Sequence, residues 1–334
     1  MTAGRLELAL SPYHLATREA PAMLALTLGT RVVTLMPTPA AGTSREAVKQ
    51  AVEESPRYLR LMEAWRWSGP LWQSGVIVSG VSGDEAAAEL EGVYALIASE
   101  EGLSPLRPLT RGASERATSE PEKALDAIAG DVLRGGADPG INIPITAALD
   151  RFAIAYGLCV VRGGTPSLTQ RAESRLGQKV FSMAMPVLLR AGGGRLERMR
   201  EDLKKELGSL RRSVAGVFGR VRESDEEPGP RRETDPEIGA ACAAFVRAFE
   251  LWAADGAAGD DENGERVTAG YVSVSGVVMP GDAALRASRA AVCAMGARGE
   301  GRGAAATGGA KIPGSEDRLF SLVVRELNLK PAQA

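Results

Sequence analysis

The chain has 42 carboxylates that could do acid–base work, with no spacing that picks one pair over another, but histidine and cysteine are scarce. The only histidine is His14, in the segment Ser11-Pro12-Tyr13-His14-Leu15-Ala16-Thr17-Arg18-Glu19. A Ser–His–Asp or Cys–His site would have to use it. No G-x-S-x-G elbow supplies the serine; Gly80–Val81–Ser82–Gly83 runs into Asp84 and reads as a turn before a helix. His14 is therefore set aside, no catalytic residue is assigned, and the chain leans away from being an enzyme. One histidine also leaves no imidazole-ligated metal site within one chain. Cys159, Cys242 and Cys293 lie far apart in apolar stretches without zinc spacing. They read as free, buried thiols of a reducing compartment, which suggests the cytoplasm. Asp260–Asp261–Glu262 beside Asn263–Gly264 lacks the ligand spacing of an EF-hand and reads as a solvated turn. No metal and no cofactor is expected.

The glycine-rich turns are the candidate ligand sites. Gly163–Gly164–Thr165 stands between an apolar strand and a helix opened by Pro166 or capped by Ser167. Such a turn offers unpaired backbone N–H groups and the positive end of a helix dipole, so it can hold a phosphate or a carboxylate. Thr165 and Ser167 add hydroxyls. The third glycine of G-x-G-x-x-G and the lysine of a P-loop are missing, so an ordinary βα turn explains the same residues.

Two further groups suit protein contacts. Trp65, Trp67 and Trp72 concentrate most of the tryptophan of a chain that has four. With Arg57, Arg60 and Arg66 interleaved, they have the composition of a binding surface, or of a core corner at Gly69–Pro70. From residue 195 to 223 an apolar stripe runs through Leu196, Met199, Leu203, Leu207, Leu210, Val214, Val217 and Val221 at spacings of three and four. This pattern predicts one long amphipathic helix over about 195–222. Its stripe must be covered, by the chain's own sheet or by another chain.

The elements that would position these residues alternate. Strands are predicted at Leu6–Leu10, Arg31–Met36, Val76–Val81, Leu158–Arg162, Lys179–Leu189 and Val267–Met279. Helices are predicted from Thr43, Pro56, Asp84, Pro121, Pro144, Pro236 and Asp282, while Ser315–Leu327 fits helix or strand. Leu158–Leu189 has the length of one βαβ unit. The fold class is α/β or α+β: helix-rich, with a mixed sheet flanked by helices. A charged, proline-containing stretch at 222–234 suggests an exposed linker between a main domain, 1–221, and a C-terminal helix–strand–helix region, 235–334, either separate from the main domain or packed on it. The stretch 297–314 also reads as a loop.

The net charge is −2, from 40 basic and 42 acidic residues, which gives nucleic acid or an anionic membrane no overall attraction. The apolar stretches Pro21–Met36 and Val180–Leu189 are too short to span a bilayer. Together these features point first to a non-enzymatic interaction or regulatory protein of a cytosolic complex. Its partner is another protein chain, a second copy or a different one. The alternative is an α/β enzyme or binding protein for a phosphate- or carboxylate-bearing small molecule at Gly163–Thr165. A weaker alternative is nucleic-acid binding through the Arg-rich helix.

Overall fold

The protein is described by a computed structural model that covers residues 5–35, 55–79, 83–163, 172–173, 175–223, 235–254, 268–296 and 318–327. Seven strands make one sheet in the order β3-β2-β1-β4-β7-β6-β5. Strands β1 (Glu7–Leu10), β2 (Arg31–Thr34), β3 (Ile77–Ser79), β4 (Cys159–Gly163) and β7 (Arg318–Leu327) run parallel. Strand β6 (Thr268–Pro280) is antiparallel to β7 on one side and to β5 (Gln178–Leu189) on the other. Leu8 pairs with Val32 and with Cys159, and Val161 pairs with Leu322.

Alternation along these strands divides the core in two. On one face Leu8, Leu10, Val161, Phe320 and Leu322 pack with α2 (Ala20–Leu28), α9 (Gly193–Asp202), α10 (Lys204–Glu223) and α11 (Pro236–Trp252). On the other, Ala9, Val33, Val160 and Leu319 pack with α5 (Gly83–Ser99), α8 (Pro139–Ala155) and α12 (Ala283–Gly296). The remaining helices are α1 (Pro12–Thr17), α3 (Pro56–Ala64), α4 (Gly69–Gln73), α6 (Arg107–Ser119) and α7 (Pro121–Leu133). The chain is thus an α/β protein with a mixed sheet flanked by helices. Among the described residues no helix is long and apolar enough to cross a membrane.

Several expectations change. The predicted single helix over 195–222 is two, α9 and α10, broken at Leu203, whose φ of −102° and ψ of 20° leave the helical range. The pair β4 and β5, expected as one βαβ unit, share a direction but are separated by β7 and β6. The twelve-residue β5 pairs instead with β6, a strand of similar length. Strands β6 and β7 come from beyond the proposed linker, yet both lie inside the sheet, so one sheet spans the two expected regions. Helix α8 starts at Pro139, before the expected Pro144, because the Asp138 carboxylate accepts the Gly140 N–H at 2.9 Å. Ser315–Leu327, left open, contains β7. The helix predicted from Thr43 and the 297–314 loop lie outside the described residues, as does nearly all of the 222–234 linker.

Candidate functional site

The order of strands reverses direction between β1 and β4. From β1 the chain builds outward to β2 and β3, and from β4 the sheet continues through β7. In open α/β sheets the connections leave to opposite faces at such a point, opening a crevice beyond the carboxyl ends of the strands. A cavity of about 440 Å³ lies there. Ser11, His14 and Glu19 reach it from the segment after β1, Arg162 and Gly163 from the end of β4, and Asn142 and Thr146 from α8.

Local geometry brings His14 and Glu19 together. Helix α1 is capped by Ser11, has Pro12 in its first turn, and stops after six residues. It ends at Arg18 with φ 51° and ψ 34°, a left-handed cap that turns the chain back on itself. Glu19, at the start of α2, then meets His14 with 2.9 Å between Oε2 and Nδ1. This hydrogen bond is the main cause that holds the Glu19 carboxyl below its ordinary pKa, against partial burial. An ionised Glu19 accepts from Nδ1–H, which leaves Nε2 as the ring nitrogen open to a ligand. The ring lies against Gly163, where a Cβ would sit 3.2 Å from His14 Cε1. A side chain at 163 would push into the imidazole.

Below this pair one guanidinium is shared by two acids. Arg162 Nη2 donates to Asp150 Oδ2 at 2.5 Å, and Arg162 Nη1 lies 3.0 Å from Glu173 Oε1. Asp150, from α8, is 1% exposed, and burial pushes its carboxyl up to about 7, with Glu173 adding to the shift and Arg162 opposing it. Asp150 Oδ1 and Arg162 Nε have no hydrogen-bond partner among the described residues.

A third contact shapes the rim. The Tyr13 hydroxyl donates to Asp131 Oδ2 at 2.9 Å, and Asp131 Oδ1 accepts the Asp138 N–H at 2.8 Å. Burial first, and then Asp131, raise the Tyr13 pKa, so Tyr13 remains a neutral donor. Gly136 sits in this turn with φ 78°, and a Cβ there would lie 2.5 Å from Asn142 Nδ2 and 3.2 Å from the Tyr13 ring. Both the backbone conformation and the close approach call for glycine.

Of the expected ligand residues, Gly163 borders this cavity, while Gly164, Thr165 and Ser167 lie outside the described residues. The interaction candidates sit elsewhere. Leu196, Met199, Leu203, Leu207, Leu210 and Val214 are all buried in the chain's own core, so their stripe presents no face to a second chain. Trp65 and Trp67 are also buried, and Trp65 stacks on Trp72 with ring centroids 6.3 Å apart. The Arg-rich helix face is partly consumed as well. Arg200 donates to the carbonyls of Leu26 and Gly29, and Arg211 to those of Leu28 and Thr27. Cys159 and Cys242 are buried as expected, whereas Cys293 is exposed near the end of α12. Among the described residues no group of three His, Cys, Asp or Glu could hold a metal ion.

Sequence reasoning weighed His14 and set it aside, and did not single out Glu19, Asp150 or Glu173, which the structure places around the same cavity. The His14–Glu19 pair had a visible signal, a carboxylate five residues after the lone histidine across a proline-bounded short helix. Asp150 and Glu173 join Arg162 only through the tertiary fold. Compared with protein-family models, curated proteins and solved structures, the chain matches none of them.

Proposed function

We propose that the protein binds a small polar molecule in the crevice beyond β1 and β4, and that His14, backed by Glu19, moves a proton to or from it. The observation that carries this reading is the 2.9 Å His14–Glu19 contact inside a cavity at the point where the strand order reverses. A carboxylate on Nδ1 fixes the tautomer and supports an imidazole that gains charge, which is what general acid–base catalysis requires. The volume, about 440 Å³, falls within the roughly 300–1,000 Å³ usual for small-molecule sites.

Charge narrows the ligand. The described walls carry Glu19 and Glu173, with Asp150 behind them, against Arg162, already held by two acids. A neutral or cationic ligand that donates hydrogen bonds fits these walls better than the phosphate or carboxylate expected from the glycine turn alone. The helix stripe, one of several features behind the protein-interaction reading, gives that reading no support, since it is buried in the chain's own core.

A thermal-shift panel tests the proposal. Amines, nucleosides and neutral sugars should include a compound that raises the melting temperature by mass action. The shift should vanish in Gly163→Val, whose side chain would occupy the space beside His14. A flat panel, or a stabilising compound indifferent to Gly163→Val, would contradict the reading.

A further inference from the structure

A second cavity, of about 370 Å³, lies on the other side of the α1–α2 turn, between the Trp67–Pro70 corner and the start of α9. Three arginines reach it from three separate places: Arg18 from the turn itself, Arg66 from the short 3₁₀ segment after α3, and Arg195 from the first turn of α9. Among the described residues the one acidic side chain in its wall is Glu63.

Several donors in and beside its wall have no acceptor among the described residues. The Arg195 guanidinium lies over the Trp252 ring, 5.6 Å from its centroid, and its Nε and Nη2 are shielded from solvent with no hydrogen-bond partner among the described residues. Trp67 is only 7% exposed, and its indole Nε1–H likewise has no partner among them. Buried donors in this state cost free energy unless something accepts from them. Helix α9 opens at Gly192 with no side-chain cap, so its first backbone N–H groups and its positive dipole end add to the same side of the ledger. Gly193 lets this helix start approach closely, since a Cβ there would lie 2.8 Å from the Trp67 carbonyl oxygen. The Arg18 guanidinium stacks over the Trp67 ring at 5.0 Å and donates to the Arg190 carbonyl at 3.4 Å, which holds it at the cavity edge.

We infer that this cavity is a binding site for an oxyanion, the phosphate group of a small molecule, held by Arg66, Arg195, the Trp67 indole N–H and the first turn of α9. A tetrahedral oxyanion accepts from several donors at once and so supplies what the cavity lacks. The site is separate from the His14 crevice: among the described residues their walls share none.

Titration of the full chain with inorganic phosphate and pyrophosphate, at constant ionic strength and against chloride, tests this. The expected result is saturable stabilisation by both anions. Arg66→Gln, at an exposed position that folding tolerates, and Arg195→Met should each raise the dissociation constant at least tenfold. Glu19→Gln should leave it unchanged, which separates this site from the crevice. No saturable effect of either anion, or one that Arg66→Gln leaves untouched, would overturn the inference.

Discussion

Asp150 and Glu173 share the Arg162 guanidinium in the interior, so two negative groups face one positive group away from water. Burial resolves part of the imbalance by keeping a proton on Asp150, whose pKa rises to about 7. An unfolded aspartate releases its proton near pH 3.9. Between about pH 4 and pH 7 the native state therefore binds more protons than the unfolded state at this residue. Its contribution to stability is present below that window and is lost as pH rises through it. Asp150→Asn should remove this falling component: the difference in unfolding free energy between variant and wild type should move in the variant's favour from pH 4 to pH 7. Urea melts across that range measure it, and parallel curves for the two proteins would show that Asp150 does not titrate there. The same proton sits beneath the crevice floor, so ligand binding that orders Arg162 should share this pH dependence.

At the scale of elements, α2 shows how a helix can escape sequence reading. All its residues are buried, so no polar face marks a 3.6-residue period, and the segment reads as an apolar run. Its last carbonyls are not capped locally but by Arg200 and Arg211, which sit more than 170 residues later. Arg200→Met should cost about 2–3 kcal/mol, the range for losing hydrogen bonds from a charged group to partly buried carbonyls. Chemical denaturation reads this directly, and a loss below about 0.5 kcal/mol would mean the carbonyls find other donors. Strands were more legible. Val272 and Val274 alternate with Tyr271 and Ser273 as the sequence pattern requires, and the run at Arg31 is a strand as read. Helix ends marked by proline or aspartate were legible at Pro121 and Pro236, while α6, with a weakly apolar sequence, was not. Gly163 was singled out from local sequence alone, at the end of an apolar run that is β4. The partners of Arg162 could not be singled out that way, because α8 and the residues after β4 meet only when the sheet forms.

At the scale of the molecule, the position of the crevice follows from topology. From β1 the chain goes to β2 on one side, and from β4 to β5 at the far edge on the other, so their carboxyl ends are not covered by a direct connection between them. The lone histidine, its carboxylate and the buried Asp150–Arg162–Glu173 group all gather there, while the apolar stripe could have been covered by the chain's own sheet or by another chain. That stripe completes the chain's own core. The second, donor-rich cavity lies behind the α1–α2 turn, whose Arg18 faces one cavity while Thr17 and Glu19 face the other.

Because the chain has a single histidine, its reaction with diethyl pyrocarbonate reports on one imidazole. Modification followed by mass spectrometry, with and without a compound that stabilises the protein, compares His14 directly in the two states. A ligand held in the crevice should slow carbethoxylation of His14 at least tenfold. An unchanged rate at saturating ligand would contradict the placement of the functional site beyond β1 and β4.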